Sequence, residues 1–208
     1  MEQYGSGIAA LSERSGVPAD VIEKALDIRK EKYHKTYAFD EKVKIEVEES
    51  RIPTNVRTIQ GFSAGFGTYK SVTGTRYGFL EVDAPEWKQH SGDMTAFPIP
   101  VIMNYPSQGL GGEIMQVQAG RVFRALLEHN LLSRIVMINT VHDSIYLDVH
   151  KDFIKYLPAI AGLLEDVSPY FNKVYNTNWD TPFKVTCEYG NNMLELTETV
   201  IERSDNWI

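Results

Sequence analysis

The chain has 208 residues, 43% of them hydrophobic and 24% charged, which is a globular composition and excludes a disordered or fibrous chain. A single cysteine, Cys187, excludes an internal disulfide framework, and no run nears the ~20 apolar residues of a membrane span. The formal charge of −7 weighs against a protein that grips nucleic acid alone, because phosphate binding draws on a basic face. With no basic-then-apolar leader at the N-terminus, the expectation is a cytoplasmic protein with no membrane partner.

Met1–Gly7 reads as a helix-like opening that quickly meets glycines, and Ser15-Gly16-Val17-Pro18 reads as a turn. Pro18 suits a first helical turn, and Val21, Ile22, Ala25 and Leu26 recur on one face, which predicts a helix from Ala19 to Lys35. A second amphipathic stretch runs from Phe39 to Ser50. From Arg51 to Pro100 the helical period disappears. There Thr68–Val72 and Thr75–Phe79 flank Gly74 as a β-hairpin.

Gly111 to Asn130 is the clearest helix, with Met115, Ala119, Val122 and Leu126 on its core face. Two apolar runs follow, Ile135 to Val141 and Ile145 to Val149, separated by His142-Asp143-Ser144. They predict a hairpin with its polar groups at the tip. A helix bent near Pro158 or Pro169 is expected from Lys151 to Asn176, then strands at Phe183–Tyr189 and Leu194–Ile201. The tail from Glu188 to Asp205 is acidic.

Two constellations carry chemistry. His142-Asp143 between two strands puts an acid where a metal or phosphate can reach it, although an aspartate there also serves simply to bond the turn backbone. Asn104-Tyr105-Pro106-Ser107-Gln108-Gly109 leads into the long helix. Its amides suit the acceptors of a nucleic-acid minor groove, or equally a polar loop that caps a helix.

Taken together, the order Asn104-x-Pro106-x-Gln108-Gly109, long helix, Val141-His142-Asp143 resembles the palm of family A DNA polymerases. Tyr4-Gly5-Ser6-Gly7, the helix to Lys35 and the Thr73–Tyr77 hairpin resemble that family's fingers after the O-helix, and Glu188-Tyr189-Gly190 with Asn206-Trp207-Ile208 looks like its C-terminus. The resemblance implies an α+β fold, with a fingers fragment over residues 1–98 and the C-terminal part of an antiparallel palm over 99–208. It implies that Asp143 ligates the two catalytic Mg2+ ions, that His142 sits near the primer terminus, and that Asn104 and Gln108 touch the minor groove of the primer–template. Tyr4 would pack against the templating base, and Arg76 would contact the template or close the fingers. Magnesium keeps several waters, so few protein carboxylates suffice if they are well placed.

The family pattern departs at two points. Ser144 stands where the family usually has a glutamate after the aspartate. The first metal-binding aspartate and the O-helix cations have no counterpart, since Met1 precedes Tyr4 by three residues. The expectation is therefore the C-terminal subunit of a split polymerase, as in some phages, acting on DNA and dNTPs in an infected cell's cytoplasm. It would be active only with an N-terminal polymerase fragment. The alternative is a non-catalytic palm remnant that binds DNA or protein. A metal-dependent phosphohydrolase built on His142-Asp143 ranks last, because His34, His90, His129 and His150 show no ligand spacing.

Overall fold

The computed structural model describes residues 7–199, 201, 203, 204 and 207. The chain is mixed α and β, with seven α-helices and small antiparallel sheets among those residues. It divides into two compact units, Met1–Gly109 and Leu110–Ile208.

The first unit opens with α1 (Ile8–Ser15), ended by Gly16 in the left-handed conformation, which is the turn expected at Ser15–Pro18. The predicted helix from Ala19 is α2 (Ala19–Lys32), and α3 (His34–Glu49) follows directly, beginning earlier than Phe39. No residue of α1 or α2 is buried, so the apolar stripe of α2 has no core beneath it. In α3, Val43 and Val47 stand one turn apart and are fully buried. They close a core with Tyr69, Phe79, Phe97 and Ile102, each burial stabilising by about 1.5–3 kcal/mol.

That core is roofed by a three-stranded antiparallel sheet, β1 (Ile52–Arg57), β2 (Ser63–Lys70) and β3 (Arg76–Leu80). The predicted hairpin is β2–β3, turning over Ser71–Thr75 with Gly74 at φ +94°, a region open to glycine. β1 was not expected; Pro53 and Asn55 masked it, and a ladder irregularity between Pro53 and Arg57 accommodates them. A polar staple locks the sheet. Glu81 is 6% exposed and takes bonds from Arg51 Nε (2.6 Å), Arg51 Nη2 (2.9 Å), the Gly65 N–H (2.6 Å) and Thr95 Oγ1 (2.9 Å). Short strands β4 (Val82–Asp83) and β5 (Thr95–Ala96) pair around α4 (Glu86–Gln89).

The long helix α5 runs from Ile99 to Glu128, twelve residues earlier than the predicted start. Pro100 is harmless in the first turn, but Pro106 sits inside the helix and denies the Ile102 carbonyl its donor, a cost of about 3 kcal/mol. Ile102 is fully buried and Pro106 is buried too, so packing outweighs the local propensity that made this stretch look like a loop.

In the second unit Val122 and Leu126 of α5 pack with Leu131, Ile135 and Ile160. The predicted hairpin is β6 (Ile135–Val141) and β7 (Ser144–Val149). Ile135 and Met137 face the core with Leu147 and Val149. Met137 pairs with Leu147 and Asn139 with Tyr146, leaving Ile138 as an extra, bulged residue. The single bent helix expected from Lys151 is three pieces: a 3-10 helix (Lys151–Tyr156), α6 (Leu157–Glu165) and α7 (Val167–Tyr175). One junction, between Tyr156 and Leu157, adjoins Pro158 as expected, and the other falls at Asp166, three residues before Pro169; both prolines occupy first turns. Arg121 fastens α5 to that break, donating to the Asp166 carbonyl (2.9 Å) and Oδ2 (3.0 Å) while lying 4.1 Å over the Tyr170 ring. The last strands are shorter than predicted, β8 (Cys187–Tyr189) and β9 (Thr197–Thr199).

Candidate active-site hairpin and nucleic-acid contacts

Val141 pairs with Ser144, so the β6–β7 loop is two residues, His142 and Asp143, and Ser144 belongs to the strand. A two-residue loop needs a positive φ that matches the strand twist. His142 supplies it at φ +52°, a conformation uncommon for a side chain with a Cβ. The backbone therefore holds His142 left-handed and places Asp143 at the outermost point. Both side chains are exposed, and neither has a hydrogen-bond or ion-pair partner among the described residues. The plain structural role for Asp143, bonding its own turn, is thus absent among the described bonds. Its carboxylate is held by the turn and left open to a ligand.

An exposed carboxylate without partners is the donor chemistry that a hard, oxygen-seeking cation takes. Among the described residues, no three His, Cys, Asp or Glu side chains cluster to hold an ion. Asp148 lies on the same strand, but at about 3.3 Å per residue it stands roughly 13 Å from Ser144, too far to share an ion with Asp143. Asp143 fits one ligand position of a site that other groups would complete. Cys187 offers no alternative nucleophile, because burial and then the neighbouring Glu188 carboxylate push its thiol pKa up and keep it protonated.

Asn104 and Gln108 sit on α5 within the first unit, one turn apart on a single face. This corrects the loop expected there: the helix fixes their spacing. Asn104 is half-buried and Gln108 exposed, and neither amide has a partner among the described residues. Gly109 lets the helix approach β3, since a Cβ there would meet the Tyr77 hydroxyl and ring.

Arg76 is exposed on β3 and pairs directly with Lys70 of β2. Two cations opposed across a ladder repel each other, and the nearest recorded anion is the Glu46 carboxylate, which accepts from the Lys70 N–H (3.1 Å). The sequence reading missed Lys70. The signal was available, because the Gly74 turn places these residues at equal depth on the two strands. Tyr4 lies outside the described residues, as do Asn206 and Ile208. His142 and Asp143 belong to the second unit, Asn104, Gln108 and Arg76 to the first.

No protein-family model matches the chain, and no solved structure matches it. No described helix is long and apolar enough to cross a membrane. The chain is similar to a DNA polymerase of Bacillus phage SP01, at 29% identity over 137 residues, or 65% of this chain. The match spans 14% of the relative's length. The open carboxylate, the paired amides and the opposed cations thus occur in a chain with a distant relationship to a phage DNA polymerase.

Proposed function

We propose that this chain forms the C-terminal portion of a family A-type, template-directed DNA polymerase and contributes Asp143 to its two-metal centre. The observation that carries this reading is the two-residue loop that holds the Asp143 carboxylate open and unpartnered, in a chain related to a DNA polymerase. Mg2+ bound there would supply the charge that activates the primer 3′-hydroxyl and stabilises the leaving pyrophosphate. The rest falls to the chain's own groups. Asn104 and Gln108 donate to the minor-groove acceptors that both kinds of base pair display, which fixes the duplex without reading its sequence. Arg76 and Lys70 neutralise backbone phosphates of the template. His142 stands next to Asp143, beside the primer terminus, and Tyr4 meets the templating base.

One carboxylate does not make a two-metal clamp, so the remaining ligands and the triphosphate-binding cations come from an N-terminal polymerase portion, the partner of this chain. That partner also supplies most of the positive surface, which agrees with the charge of −7 here. Substrates are primer–template DNA and dNTPs, in the cytoplasm of the infected cell. Ser144 favours one other reading, a non-catalytic palm remnant, because the neighbouring position lacks a second carboxylate.

Primer extension with magnesium separates the two. Under the polymerase reading the chain extends a primer only with a co-expressed upstream fragment, and both Asp143→Ala and the isosteric Asp143→Asn abolish extension. Extension by the reconstituted pair that survives both substitutions makes the chain a scaffold.

A further inference from the structure

The chain's three tryptophans are treated differently. Trp179 stacks on Phe171 at 4.7 Å, and Trp207 stacks on His129 at 4.7 Å; both are half-buried. Trp87, in α4, is 69% exposed and meets no ring among the described residues. The Lys88 ammonium lies over its ring, 5.5 Å from the centroid. An indole offers more apolar surface than any other side chain, so leaving it wet forgoes the gain that the other two collect.

We propose that Trp87 is a stacking platform for an unpaired base of single-stranded DNA, with Lys88 taking the adjoining phosphate. The choice of DNA as ligand rests on the polymerase reading above. Every base has a face that stacks on an indole, so the platform is indifferent to sequence, as a template strand requires. Glu86 and Asp93 lie on either side of Lys88 in the chain and offset its charge beyond the nearest phosphate. Binding here is therefore carried by stacking, with a salt slope of about −0.7, that of one phosphate on a single strand.

The test titrates the full chain with labelled oligo-dT and, separately, with a blunt DNA hairpin, following anisotropy and indole fluorescence. Trp87→Ala is expected to weaken oligo-dT binding about tenfold, Trp87→Phe to keep most of it, and neither to alter binding of the blunt duplex. Oligo-dT should also protect the wild-type indole from iodide quenching, and Trp87→Ala should remove that protection. Equal oligo-dT affinity in wild type and Trp87→Ala, or no oligo-dT binding by the wild type, overturns the proposal. If the platform fails while Asp143-dependent extension persists, the polymerase reading stands alone. If Trp87-dependent binding appears without Asp143-dependent extension, the platform stands and the chain is a single-strand binder.

Discussion

Two hairpins carry charged groups proposed to act in DNA synthesis, and they are built on opposite principles. β2–β3 is braced along its β2 edge and beneath: a third strand flanks β2, Tyr69 and Phe79 are buried with α3 residues, and Glu81 staples the sheet to Arg51. β6–β7 is anchored only at its base, where Ile135 is fully buried, while its distal residues from Ile138 to Ser144 are exposed. In the first, packed and stapled neighbours hold the strands that carry Lys70 and Arg76. In the second the backbone of a two-residue turn does that work, so the acid is positioned without being paired. A carboxylate bound by a neighbour would have to lose that neighbour before taking a metal. An open one does not.

The contrast predicts where damage lands. The largest effect belongs to the unbraced tip: Asp143→Asn should lower the extension rate of the reconstituted polymerase by about 10³-fold or more, several kcal/mol of charge stabilisation, while the melting temperature stays unchanged. Single-turnover extension beside a thermal melt checks both halves. In the braced hairpin the effect should fall on stability instead. Glu81→Ala removes the acceptor of Arg51, Gly65 and Thr95 and should cost about 2–3 kcal/mol, discounted because Arg51 is partly in water. Urea unfolding measures it.

The same staple has a pH signature. Bonding to Arg51 chiefly, and to Gly65 and Thr95, outweighs burial and holds the Glu81 pKa below the ordinary glutamate value. The unfolded chain therefore takes up its proton first as pH falls. The staple's contribution is whole above the ordinary range near ~4.3 and is lost as pH drops below it through the folded value. Glu81→Gln should flatten that part of the stability–pH curve; an unaltered acid limb would show that the staple is not the group titrating.

Gly109→Ala comes next. The added methyl meets the Tyr77 ring and should cost about 1–3 kcal/mol, with Tyr77→Ala in the same chain recovering part of the loss. Smallest in stability is Arg76→Ala, which relieves repulsion from Lys70 and should leave the fold unchanged or firmer by about 0.2–1 kcal/mol. Affinity for primer–template should nevertheless fall, and the salt slope should shrink by about 1. A lower affinity with an unchanged slope would argue that Arg76 acts through the fold and not through phosphate.

The sequence disclosed the two hairpins, because alternation and turn residues are local signals and both strands of each lie side by side in the chain. It disclosed the acid at the tip for the same reason, missing only that Ser144 joins the ladder. It did not disclose the helical state of Asn104 to Gly109. Pro106 and Gly109 oppose a helix locally, and only the burial of Ile102 and the close approach of Tyr77 reverse that preference. β1 escaped for a related reason, since a strand containing Pro53 and Asn55 exists only because β2 offers it a ladder. The partnership of Glu81 with Arg51 links residues thirty positions apart and leaves no local trace.

Ile138 is the residue of β6 that has no partner in the ladder. Because it is surplus to the ladder, excising it would leave each pair on either side intact, Met137 with Leu147 and Asn139 with Tyr146. What would change is the local bend and twist that the surplus residue adds. Ile138 is thus the hairpin's aiming screw: a position whose contribution is angular and not chemical. A chain shortened by that one residue should melt no earlier and still carry Asp143, yet point it in a different direction.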